Sequence, residues 1–100
     1  MEHPYQTILR QMRVFIVDSM TAEIMSTIMA KAQTVLSKDS IEELQVTLGL
    51  RQQTRCLLDI LHYQPASTML DIMLHGPPNI ISDTLLLLKD EYDEQHPWRV

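Results

Sequence analysis

Glycine is nearly missing from this sequence: two occur in 100 residues. A phosphate-cradling loop needs several, so the Gly-rich nucleotide motifs are excluded. The single cysteine, Cys56, has no partner within the chain, which excludes an internal disulfide and points to a reducing compartment. Set beside Leu57 and Leu58, it reads as a small buried hydrophobe rather than a nucleophile. Aromatics make up 5%, with one Phe and one Trp, so the 45% of apolar residues is carried mainly by Leu, Ile and Met. The longest apolar runs, "VFIV" and "LLLL", are far too short to cross a bilayer, and no secretory leader is visible. Together these features predict a cytoplasmic, all-α domain without a membrane partner, since Leu and Met lose little rotamer freedom in a helix.

Positive charge is also scarce. Eight Lys and Arg stand against 13 Asp and Glu, giving a net charge of −5. That argues against nucleic acid as a partner, because phosphate binding needs Lys and Arg. The charge is uneven, however. Six of the eight bases lie in residues 1–55, and seven acids follow Cys56. Two surfaces of opposite sign are implied.

Catalytic constellations are absent too. His3, His62, His75 and His96 show no metal-ligand spacing. His62 and His75 fall at helix ends, where a cation suits the dipole. Asp90, Glu91, Asp93 and Glu94 lack the glycine and spacing of a calcium loop. No enzyme, metal or cofactor is expected.

What is present is helical periodicity, in six segments. The first runs from about Pro4 to Asp18 with Tyr5, Ile8, Leu9, Met12, Phe15 and Ile16 on one stripe. Val14 and Val17 fall off it, so this helix is either buried on two sides or bent midway. The second follows a cap at Ser19 or Thr21 and turns Ile24, Met25, Ile28, Met29 and Ala32 inward, with Val35 and Leu36 following. A short third, around Ser40 to Leu48, is capped by Ser40 in a capping-box spacing with Glu43, or by Ser37. It buries Ile41, Leu44 and Leu48, and Gly49 ends it. The fourth spans about Leu50 to Tyr63, with Leu50, Leu57, Leu58 and Leu61 inward. Pro65 opens the fifth, with Met69, Leu70, Ile72 and Met73 as core, and Gly76-Pro77-Pro78 stops it. The sixth runs from about Asn79 to Tyr92 on Ile81, Leu85 and Leu88. One domain over residues 1–92 is expected. Residues 93–100 read as a frayed helix end passing into an acidic tail or the start of a linker.

Arginines supply the candidate site. Arg10 and Arg13 are three apart on the first helix, and Arg51 and Arg55 four apart on the fourth, so each pair shares a face. Asp59 is the sole acid three or four residues from any of them, within reach of Arg55. Glu23 on the second helix and Asp39, Glu42 and Glu43 on the third form the opposite set.

The order "VLSKDSIEEL", "RQQTRCLLDIL", "ASTMLDIML", "PNIISDTL" resembles the caspase recruitment domain, a death-fold module. The likeness rests on Val35-Leu36-Ser37 entering an acidic third helix, the basic Arg55 to Ile60 segment, small then apolar residues from Ala66 to Leu74, and Pro78 to Leu85. It departs in the Tyr63-Gln64-Pro65 turn and in Met69 and Leu70, where aromatics are common. The resemblance implies a six-helix antiparallel bundle of Greek-key-like death fold, with the family's usual kink in the first helix. It also implies homotypic binding in apoptotic or innate-immune signalling, the partner being another caspase recruitment domain or the chain itself. A basic face of Arg10, Arg13, Arg51 and Arg55 would then meet an acidic face of Glu23, Asp39, Glu42 and Glu43 on a neighbour. Such a head-to-tail contact does not close and can propagate as a filament. The alternative is a closed helical homodimer with a Met/Leu-rich interface, for which seven methionines are suggestive.

Overall fold

A computed structural model describes residues 2–96, and within them all regular structure is α-helical. The first expected helix is two, α1 (Pro4–Gln11) and α2 (Arg13–Ser19). The break falls at Met12, whose ψ of −1° opens the turn. A straight helix cannot keep Ile8, Leu9, Ile16 and Val17 on one narrow stripe. With the bend, all four and Met12 are buried, and Val14 is left 73% exposed. Pro4 takes the first helical position, where its missing N–H costs nothing, and His3 caps it by accepting from the Tyr5 amide.

Helix α3 (Ala22–Val35) is capped by Thr21 rather than Ser19, and α4 (Lys38–Val46) by Ser37 rather than Ser40. Both caps carry a hydroxyl in the extended backbone that lets it accept from the amide three residues on. Two expectations for α4 fail for one reason. The helix stops at Val46, so Gly49 does not end it but stands before α5 (Leu50–His62) with φ 85°. Leu48 therefore lies in the connection, 86% exposed, instead of in the core. Helix α6 (Ala66–Met73) ends ahead of Gly76, and α7 (Ile80–Gln95) is capped by Asn79, whose side chain accepts from the Ile81 and Ser82 amides.

Helix α5 is packed by α1, α2 and α4; α3 lies on α6 and α4, and α7 on α1 and α2. Ile16, Ile28, Leu44, Leu57, Leu61, Met69, Ile72 and Leu85 close the core from six of the helices. Each such side chain is worth roughly 1.5–3 kcal/mol when fully buried. Val35, expected to turn inward, is 41% exposed, while Leu36 just beyond the helix is buried in its place. Thr54, unremarked in the sequence, is fully buried, and its hydroxyl donates to the Leu50 carbonyl at 2.7 Å. Met12, Met20, Met25, Met69 and Met73 are buried and Met29 is packed against the core. These six methionines are thus drawn into or against the core, while Leu48, Leu86 and Leu87 stay exposed.

Asp93 belongs to α7 and not to a frayed end. It accepts from the Tyr5 hydroxyl and from Lys89 Nζ at 2.9 Å, tying α7 to α1. Residues 97–100 of the expected tail lie outside the described residues. No described helix is long and apolar enough to cross a membrane.

Candidate protein-docking surface

Three of the four arginines converge. Arg13 on α2 and Arg51 and Arg55 on α5 line one shallow recess of about 110 Å³ with Val14, Val17 and Asp18. The convergence follows from α2 packing against α5, with Val17 buried and Val14 exposed at the recess. Arg10 is elsewhere. Its Nη2 pairs with Glu2 Oε1 at 2.9 Å, and Glu2 also faces His62 Nδ1 at 3.4 Å. Thr7 Oγ1 donates to the same carboxylate, and this bond, followed by the Arg10 contact, holds Glu2 below the usual carboxylate range.

Helical spacing along the sequence leaves the arginines without carboxylates, apart from Arg55 and Asp59. The fold corrects this. Asp59 pairs with Arg13 at 2.7 Å, and Asp18 with Arg51 at 3.0 Å. Both carboxylates come from another helix, which i±4 reasoning cannot reach. Arg55 instead bonds the Gln52 side chain, and among the described residues no carboxylate is within ion-pair distance of it. The two inter-helix pairs are solvent-exposed, with the Asp59 side chain 67% and the Asp18 side chain 57% accessible. Pairs of this kind contribute about 0–1 kcal/mol and exchange readily for another carboxylate.

The four acids divide. Glu23 lines a recess of about 260 Å³ with Thr21, Thr27 and the Pro77–Asn79 loop, away from α4. Asp39 and Glu42 are exposed on α4. Glu43 shares a recess of about 370 Å³ with Arg13, Arg55, Cys56 and Asp59, so acids and bases adjoin there instead of occupying separate sides. None of the four forms an ion pair among the described residues. Cys56 is half-buried at this rim rather than sealed in the core. Desolvation pushes its thiol pKa up; the neighbouring Thr47 hydroxyl opposes this, and Glu43 adds to it.

Over the described residues the fold is an all-α helical domain, and on its surface Glu43 adjoins a cluster of arginines and aspartates. Neither the protein-family models, nor the curated proteins, nor the solved structures contain a match to the chain.

Proposed function

We propose that the chain is a death-fold interaction module of the caspase recruitment type, which acts by docking on domains of its own kind in apoptotic or innate-immune signalling. Its contribution is assembly, with no chemistry of its own. One observation carries the reading: Arg13, Arg51 and Arg55 line one recess with exposed Val14, while among the described residues Asp39, Glu42 and Glu43 form no ion pair. Counting α1 and α2 as one bent helix also leaves six, the number the family likeness calls for.

Docking of base on acid steers encounter and disfavours wrong partners, and it weakens with salt. Arg13 and Arg51 each exchange an exposed internal carboxylate for one on the neighbour, at small cost. Arg55 has none to give up. Light scattering of the purified chain across a salt series tests this. Association should fall as salt rises and should be lost in Arg55→Glu and Arg13→Glu, with circular dichroism and melting temperature close to the parent. Loss of folding in those variants would make the arginines structural, and salt-independent association would replace charge docking with another mode.

A further inference from the structure

Glu43 and Arg55 stand at one level of the hairpin made by α4 and α5, both lining the same recess, yet they form no ion pair with each other. A three-residue connection joins the two helices, so they run antiparallel. Gln53 Nε2 donates to the Leu44 carbonyl at 3.0 Å and fixes their register. Along α4, Asp39, Glu42, Glu43 and Val46 follow the i, i+3, i+4, i+7 spacing and are all exposed. Along α5, Arg51 and Arg55 share the neighbouring face, and Arg13 adds a third guanidinium from α2. The acidic edge of α4 thus adjoins, at Glu43, an edge of α5 where Arg13 and Arg51 are paired with Asp59 and Asp18 and Arg55 bonds Gln52.

We propose that this hairpin is a two-fold self-docking surface whose occupant is a second copy of the chain. Rotation by half a turn about an axis between α4 and α5, parallel to both, keeps each residue's level and exchanges the two sides. Glu43 of each copy then lies over Arg55 of the other, so that this pair forms twice. A contact of this kind is isologous and closes at two chains. An acid and a base on opposite sides of the molecule would have propagated; adjoining ones complete each other in a pair. Val46, 74% exposed, and Leu48, 86% exposed, lie at the loop end of the hairpin and add apolar contact there. The inference rests on the proposed homotypic docking and specifies its geometry.

Sedimentation velocity on the whole chain decides it. The parent should reach a two-chain species and stop, and raising salt from about 50 to about 500 mM should return it to single chains. Glu43→Arg and Arg55→Glu should each weaken association by about tenfold or more, since each places like charges together at two equivalent contacts. Mixed in equal amounts, the two variants should recover a two-chain species, because both contacts are then complementary. Growth of the mixture into long alternating chains would overturn the closed pair and leave homotypic docking standing. A mixture that stays monomeric while the parent associates would remove the hairpin as the surface. A parent that never self-associates at any salt would remove the two-fold pair and self-docking together, leaving docking on another domain of the family to be judged by the arginine variants. Should a reversed variant lose its helical signal, Glu43→Gln and Arg55→Gln take its place, each expected to weaken the pair.

Discussion

Arg13 Nη1 lies 2.7 Å from Asp59 Oδ1, joining α2 to α5 across 46 residues of sequence. Asp59 thereby leaves Arg55, its neighbour one helical turn away, without a carboxylate partner among the described residues. The pair is exposed, so Asp59→Asn should cost no more than about 1 kcal/mol of stability in urea denaturation. It should also strengthen self-association, because Arg13 becomes free for a carboxylate on another copy. Weaker association in sedimentation would place Asp59 itself against the partner.

Gly49 and Gly76 share a φ of 85° but differ in surroundings. A Cβ on Gly49 would meet nothing, whereas one on Gly76 would overlap the Thr27 methyl group. Gly49→Ala should therefore show backbone strain alone, about 1 kcal/mol. Gly76→Ala should add an overpacking cost of about 1–3 kcal/mol. Thr27→Ser removes the methyl group, so the double variant Gly76→Ala with Thr27→Ser should regain the second part and keep the first. Equal losses in the two alanine variants would mean that the α6–α7 loop moves aside freely.

Much of this fold is written locally. Apolar spacing located the buried faces of α3, α5 and α6, because a residue such as Leu57 or Met69 reports its side of a helix through its neighbours three and four away. Pro4, Thr21 and the Gly76 stop were legible for the same reason, since capping and φ are properties of a few adjacent residues. What escaped was non-local. Thr54 is buried because its hydroxyl is satisfied by its own helix, which hydrophobic patterning scores as polar. Leu48 scores as apolar but lies past a helix end that its neighbours do not mark. The partners of Arg13 and Arg51, and the approach of Glu43 to Arg55, exist only once α2, α4 and α5 are packed together.

Glu2 gathers three contacts at the base of the bundle: the Thr7 hydroxyl at 2.7 Å, Arg10 at 2.9 Å and His62 at 3.4 Å. The first two lead in holding its pKa below the usual value. A carboxyl whose folded pKa is lowered binds fewer protons folded than unfolded, so the stability it lends is complete above the ordinary glutamate pKa and is lost as pH falls through the lowered one. Glu2→Gln should therefore melt below the parent near neutral pH, and the two curves should draw together in that acidic window. A gap that persists to strong acid would show that the charge of Glu2 is not what matters.

Cys56 supplies a native reporter for the hairpin surface. Burial first, and the nearby Glu43 carboxylate as well, keep its thiol protonated at pH values where a free cysteine begins to ionise, and only the thiolate alkylates. Iodoacetamide at mildly alkaline pH should therefore label it more slowly than a free cysteine, and Glu43→Gln should label faster than the parent when both are dilute and in high salt. Because Cys56 lines the recess that a second copy would cover, the parent should also become more protected as protein concentration rises at low salt. That added protection should vanish in Arg55→Glu at concentrations where sedimentation shows the variant as single chains. Labelling that ignores concentration, under conditions where sedimentation shows two-chain species, would mean the copies meet through a different face.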